Sequence, residues 1–490
     1  MTEREQRIRE LEEVSRRLEP DAGERARMRD AVVEYSEDFL RHIDELRAFE
    51  TDRSAVEQLR ETPIRERGRE IDELLPLLRR AVDTPGLNPA SGGHLAYIPG
   101  GGLYPSALGD YLAAVTNRYA GIQFTGPGAV EMENMLLDWM AELVGYPGEA
   151  GGNLTSGGSI ANLVAVVTAR EDRDLDPESY GDAVVYVSEQ THHCVDKALR
   201  IAGLGDSVRR VVPVDDRYRM DPDALEEAVE GDRRSGLLPW MVVGSAGTTD
   251  VGAVDPLEAI GDVADRQGLW FHVDAAYGGF FALCESCREL LAGMGRSDSV
   301  VLDPHKGLFL PYGSGAVLVK DRAALHRAHH YRADYMQDIQ QAEAGRVESP
   351  AELSPELTKH FRGLRLWLPL LLHGVEPFRA ALEEKRLLAR RFRERARERG
   401  FQVGPEPELS VAAVRWMPES GADPDAFNEA LVEAVREDGR VFLSSTTLDG
   451  RFVIRMAALA FRTHVETVDL ALEILCEEAR ELEETGLPAA

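Results

Sequence analysis

The residues best equipped for chemistry in this chain stand at the ends of short apolar runs. Ser299-Val-Val-Leu-Asp-Pro-His-Lys306-Gly places a lysine directly after one run, behind His305 and the rigid Pro304. An amine forms an imine with an aldehyde only when it is unprotonated, and partial burial at a strand end is expected to lower its pKa towards that state. A lysine in such a place is more often structural or solvent-facing, so the segment argues only in company. The chain has five lysines, at 197, 306, 320, 359 and 385, among 56 basic residues, so one inside a motif is less ordinary than usual.

Three other segments supply that company. Phe271-His272-Val273-Asp274-Ala275-Ala276-Tyr277-Gly278-Gly279 ends a second run on an aspartate. A pyridine ring withdraws electrons well when its nitrogen is protonated, and a buried carboxylate holds that proton; Ala276 is small enough for a flat ring to lie against it. The plainer alternative is an aspartate that caps the next turn. Asn153-Leu-Thr-Ser156-Gly157-Gly158-Ser159-Ile160-Ala161-Asn162 precedes an apolar helix, and glycines with a helix N-terminus make a phosphate cradle that needs no lysine. Ser188-Glu-Gln-Thr-His192-His193-Cys194 follows a third run. There an imidazole can stack on a ring, although histidines in such places are commonly caps. Gly247-Thr248-Thr249 adds a hydroxyl after a fourth run.

These segments need a scaffold that gathers strand ends. Apolar runs of strand length occur at 183–187, 208–214, 240–243, 269–273, 300–302 and 316–319. Helical patterns fill most of the gaps, at 160–170, 195–201, 222–229 and 256–266. Continuous apolar strands alternating with helices predict an α/β fold with a largely parallel sheet covered on both faces, whose ligands bind at the carboxyl ends of the strands. Residues 1–90 read as a helical segment, with Met28, Val32, Tyr35, Phe39 and Ile43 at the spacing of one helical face. Residues 91–375 read as the large domain and 376–490 as a small C-terminal α+β domain with its own strands and a closing helix.

Four strand-end features in this order resemble the group II pyridoxal-phosphate decarboxylases, the family of aromatic-L-amino-acid and glutamate decarboxylases with fold type I. The likeness runs from Gly93 to Arg462: Phe124-Thr-Gly-Pro127, Glu131-Met-Glu133, Asp138-Trp139, 357–367 and Val453-Ile-Arg455 also fit it. The resemblance implies a seven-stranded-type sheet and pyridoxal 5'-phosphate as cofactor. It implies Lys306 as the Schiff-base lysine, Asp274 as the partner of the ring nitrogen and His192 as the stacking imidazole. Gly157, Gly158, Ser159, Thr248, Ala276, Asp303 and His305 would complete the cofactor site. His94-Leu-Ala96-Tyr97-Ile98-Pro99 looks like the family's substrate-pocket strand, with Ile122 and Phe124 as further wall. Tyr335 falls in a polar stretch resembling the mobile catalytic loop, where the family assigns a tyrosine the proton delivered to Cα. Relatives that make aldehydes tend to carry phenylalanine there. The loop reaches a neighbouring subunit, so a homodimer with shared active sites is implied.

The chain departs from the pattern at Asp303, where many animal members carry asparagine, and at Pro89 and Gly100 in the pocket. The expected reaction is decarboxylation of an L-amino acid, aromatic favoured, to an amine and CO2. The rivals are an aldehyde synthase, a carbon–carbon lyase or an acidic-substrate decarboxylase on the same scaffold, and, in another class, an inactive binding protein.

Bulk properties agree with that expectation. Over 490 residues the formal net charge is −30, which disfavours a nucleic-acid partner and fits either a salt-adapted surface or an acidic enzyme. The N-terminal MTEREQRIRELEE has no apolar run, and no stretch approaches a membrane span, so the cytoplasm is the expected location. Four cysteines do not form a disulfide framework in a chain this long; Cys284-Glu-Ser-Cys287 is a lone CxxC, read as two incidental thiols rather than zinc ligands.

Overall fold

A computed structural model describes residues 1–330 and 348–487. The large sheet contains β1 (Gly151–Thr155), β2 (Ala183–Ser188), β3 (Val208–Val212), β4 (Leu238–Ser245), β5 (Trp270–Asp274), β6 (Ser299–Leu302) and β7 (Gly315–Val319). Their order across the sheet is β1-β7-β6-β5-β4-β2-β3. Only β7 runs against the rest, pairing antiparallel with both β1 and β6. Six strands therefore point one way, and their carboxyl ends open on one edge of the sheet.

The six expected runs are all strands, and the helices between them are present. Strands β1, β2, β6 and β7 are buried at every position, as a sheet covered on both faces requires. Two apolar clusters flank the sheet: one joins Tyr186, Phe271 and Phe280, the other Val185, Val243 and Val301. Strand β1 falls outside the expected set, because Gly151-Gly152-Asn153 hides its apolar character.

A four-stranded antiparallel sheet follows in order β8 (Gln402–Val403), β9 (Val411–Arg415), β11 (Arg451–Ala457), β10 (Ser444–Leu448), packed under the closing helix Val465–Thr485. Two expectations change. The stretch His94–Pro99 is not a strand: Tyr97 and Ile98 take φ of 54° and 56°, a left-handed conformation that breaks any ladder and is costly for a β-branched residue. The N-terminal helices Glu3–Ser15 and Ala22–Arg41 form, yet neither buries a residue: of the expected stripe Met28 and Val32 are exposed, Tyr35 and Phe39 are half-buried, and Ile43, past the helix end, is buried. No helix among the described residues is long and apolar enough to cross a membrane.

Candidate active site

The carboxyl ends of β1, β2, β4, β5 and β6 surround a cavity of about 270 Å³. Ten residues singled out from the sequence line it together: Gly157, Gly158, Ser159, His192, Thr248, Asp274, Ala276, Asp303, His305 and Lys306. They come from five separate stretches of chain, so their convergence depends on the sheet order.

Lys306 sits in a single turn of helix after β6, with its side chain a quarter exposed and its Nζ 3.1 Å from Asp303 Oδ2. Burial alone pushes an ammonium down, but here the charges of Asp303 and Asp274 and the Asp303 hydrogen bond outweigh it, and the Lys306 pKa is raised. The expectation that burial readies the amine is thus corrected: the turn that delivers the lysine also delivers its counter-charge. His305 donates from Nδ1 to the Ser314 carbonyl at 2.5 Å, and burial holds its imidazole below the usual range. Burial does the same to His192, whose Nδ1 accepts the Cys194 N–H at 3.3 Å.

Asp274 ends β5 and is held by its surroundings. Its Oδ1 accepts the Ala276 N–H at 3.1 Å, and its Oδ2 lies 3.4 Å from Asn162 Nδ2 and 3.7 Å from Cys194 Sγ. Behind it, Asn162 Oδ1 lies 2.8 Å from His272 Nε2, whose Nδ1 meets Ser299 Oγ at 2.8 Å; Trp270 Nε1 donates to that hydroxyl at 2.9 Å. The direction is set throughout. The Asn162 amide nitrogen faces the carboxylate, so its carbonyl accepts from His272 Nε2; the neutral ring then accepts at Nδ1 from the Ser299 hydroxyl, which in turn accepts from Trp270. Burial lowers the His272 pKa to about 4, which keeps the imidazole neutral and the chain unidirectional.

The cavity suits a flat ring with an aldehyde and a phosphate. Asp303 Oδ1 is buried without a hydrogen-bond partner. Beside it the turn before the helix Gly158–Asp172 crowds so closely that a Cβ at Gly158 would stand 2.9 Å from Asp303 Oδ2, while Gly157 takes φ of 149°. Only glycine leaves that room for an anion against the helix start.

The five expected substrate-wall residues do not line this cavity within one chain. Ile98, Pro99 and Ile122 are buried elsewhere, and Tyr97 and Phe124 are 61% and 51% exposed. The stretch still touches the site: a Cβ on Gly100 would lie 2.1 Å from the carbonyl oxygen of His305. Tyr335 lies outside the described residues. Cys284 and Cys287 are buried, and burial pushes both thiols up, Cys284 to about 12, which opposes thiolate chemistry.

Four participants carried no assigned role from sequence. Gln190 lines the cavity with an unpartnered Oε1. Arg455, on β11 of the small sheet, donates to the Thr249 carbonyl at 2.7 Å and so braces the Gly247–Thr249 loop. Asn162 and His272 back Asp274. A readable signal existed for His272, a polar residue inside an otherwise apolar strand, which requires buried partners.

Comparison with known proteins agrees with this arrangement. The pyridoxal-dependent decarboxylase conserved domain matches residues 58–415. An aromatic-L-amino-acid decarboxylase from Bacillus atrophaeus is 31% identical over 478 residues, covering 95% of this chain and 98% of the relative. A phenylacetaldehyde synthase from Arabidopsis thaliana is 31% identical over 423 residues, covering 84% and 86%. The crystal structure of Oryza sativa TDC with PLP and tryptamine superposes with a TM-score of 0.89 at 26% identity, covering 95% of this chain and 99% of that one. With its ten cofactor-site candidates gathered on one sheet edge, this chain belongs to the family of pyridoxal-dependent decarboxylases.

Proposed function

We propose that the chain removes the carboxylate of an aromatic L-amino acid as CO2 and releases the amine. The observation that carries this reading is the convergence of Lys306, Asp274, His192 and the Gly157–Ser159 turn on one cavity. When bound, pyridoxal phosphate supplies an electron-poor ring that accepts the electrons of the breaking Cα–carboxylate bond. Lys306 would hold its aldehyde carbon, Asp274 the proton on its ring nitrogen, and His192 and Ala276 its two faces. Ser159, the helix start and His305 would take the phosphate, with Thr248 and Asp303 completing the rim.

The protein's own part is positioning and proton control. The relay from Trp270 to Asn162 points the Asn162 amide N–H at Asp274 and so fixes the carboxylate where it would meet a ring nitrogen. Asp303 holds the Lys306 proton until the amine is required. The neutral His192 brings no positive charge against a ring that must stay electron-poor. Tyr335 is assigned the proton returned to Cα.

The aromatic preference rests on Tyr97, Ile98, Ile122 and Phe124 as a mostly apolar wall and on the aromatic substrates named for the relatives. That wall lies outside the one-chain cavity, so we assign its completion to a second copy in a homodimer. The uncovered stripes of Glu3–Ser15 and Ala22–Arg41, and the exposed Leu108, Tyr111 and Val115 on the helix Tyr104–Thr116, support such a partner. The cytoplasm fits the four unpaired cysteines. Aldehyde synthesis stays as the second reading, because a phenylacetaldehyde synthase is also 31% identical, over a somewhat shorter span than the decarboxylase.

The test is the absorbance of the purified protein loaded with pyridoxal phosphate, followed by CO2 and product analysis with single amino acids. A visible band that disappears in Lys306→Ala, with CO2 and amine from an aromatic amino acid, is the expected result. A band with no CO2 from any common amino acid would reject the proposed reaction and keep the cofactor site.

A further inference from the structure

Away from the cavity lies the helix Arg322–His329, which Asp321 caps by accepting the Ala323 N–H at 2.9 Å. His326 lies in its last turn and His330 is the extended residue that caps it, and their rings stack with centroids 4.4 Å apart. The turn Pro350–Glu352 faces them across the fold. It brings Glu352 Oε1 to 3.3 Å from His330 Nδ1, while Glu348 Oε1 stands 4.0 Å from His326 Nε2. One ligand-type atom from each of His326, His330 and Glu352 falls within 4.8 Å of the others.

Ordinary ion pairing accounts poorly for this cluster. Two protonated imidazoles stacked face to face would repel, and a neutral ring that turns its lone pair to a carboxylate gains nothing. His330 Nδ1 is shielded from solvent and has no hydrogen-bond partner despite the nearby carboxylate. The second oxygen of Glu352 accepts the Ser349 N–H at 3.2 Å, and the second oxygen of Glu348 accepts Arg322 Nε at 2.7 Å. Each glutamate therefore turns its other oxygen towards a histidine.

We propose that His326, His330 and Glu352 bind a divalent transition-metal ion of the zinc class, with Glu348 beside the remaining position. Two neutral imidazoles and a carboxylate match the nitrogen and oxygen preference of zinc. Bonds of about 2.0–2.2 Å bring ligand atoms to roughly 3.4 Å of one another, so the group must close by on the order of 1 Å. The side chains are 26% to 34% exposed and have the freedom to do so. The bound ion would tie the end of this helix to the Pro350–Glu352 turn, joining the chain on either side of residues 331–347. None of its ligands lines the catalytic cavity, so the inference stands independently of the proposed reaction.

The experiment uses the full chain without a histidine tag, stripped with chelator and titrated with zinc chloride by calorimetry, with thermal unfolding measured alongside. One ion per chain, a higher melting temperature with zinc, and X-ray absorption showing nitrogen and oxygen ligands at about 2.0–2.1 Å are expected. His330→Ala and Glu352→Gln should each weaken binding by at least on the order of 10- to 100-fold while staying folded by circular dichroism; His373→Gln, on the exposed end of another helix, should not. Absence of saturable binding, unchanged binding in both ligand variants, or a zinc–sulfur distance of about 2.3 Å that points instead to Cys284 and Cys287 would each overturn the proposal.

Discussion

Lys306 Nζ stands 3.1 Å from Asp303 Oδ2, across one turn of helix. The carboxylate is almost wholly buried, so its charge is poorly screened and acts mainly on this amine. The pair sets the proton inventory of the site before any ligand arrives: burial works to lower the lysine, and Asp303 with Asp274 raises it.

Asp303→Asn should therefore shift cofactor loading towards lower pH. Removing the carboxylate removes a stabiliser of the ammonium, the Lys306 pKa falls, and free amine becomes available at a lower pH. Loading rate is read as the growth of the bound-cofactor band across a pH series. An unchanged profile, or one displaced to higher pH, would show that Asp303 does not govern the lysine.

Gly100→Ala should damage the same turn from the outside. The added carbon would meet the His305 carbonyl at 2.1 Å, and backbone cannot yield as a flexible side chain can. Overpacking of this kind costs about 1–3 kcal/mol. If the strain falls on the Lys306 turn, cofactor affinity drops by on the order of 10- to 100-fold, measured by titrating the apoprotein. Normal affinity with normal thermal stability would mean that residues 97–102 pack differently in solution.

The relay behind Asp274 makes a prediction about coupling. His272→Phe removes the donor that orients the Asn162 amide, and Asn162→Leu removes the amide itself. Both should weaken cofactor binding and alter its absorbance, with the double variant costing much less than the sum, by a coupling of about 0.5–3 kcal/mol. Additive losses would separate the two residues and dissolve the relay.

These cases mark what was legible in advance. The strands and their order of features were readable because a sheet buried on both faces forces continuous apolar runs, and because a chemistry-bearing residue after each run stands out. Strand β1 escaped because its glycines carry no apolar signal. The left-handed Tyr97 and Ile98 escaped because nothing in their side chains demands that backbone. Lys306 lines the cavity as expected, but its pKa is raised rather than lowered, since the sign depends on where Asp303 points. Contacts at long range, such as Asn162 with His272 behind Asp274, depend on the sheet order and cannot be read from spacing.

Tyr335→Phe tests the assignment that rests on resemblance alone. A positioned acid contributes on the order of 10²–10⁴-fold to a proton transfer. Amine formation should fall by at least the lower figure, with aldehyde in its place under air. Product analysis by mass spectrometry decides, and amine alone at an undiminished rate would reassign the proton donor.

A pair 226 residues apart in the sequence is buried together: Lys359 Nζ donates to Glu133 Oε2 at 2.7 Å, both side chains being 1% exposed. The arrangement is fully used. Lys359 also donates to Asn153 Oδ1 at 3.0 Å, on the strand that leads to the phosphate turn, and Glu133 Oε1 accepts the Gly363 N–H at 3.1 Å. Lys359→Met fills similar volume but strands a buried carboxylate, a loss of about 3–5 kcal/mol. Adding Glu133→Gln removes the stranded charge and keeps an acceptor for Gly363, so the double variant should recover part of that loss. Urea denaturation midpoints measure both. A single variant within about 1 kcal/mol of the parent would mean the lysine is solvated rather than buried, since exposed pairs contribute no more than that. A double variant as unstable as the single would place the cost in the Asn153 contact, and with it in the strand that carries Ser156 to Ser159 into the site.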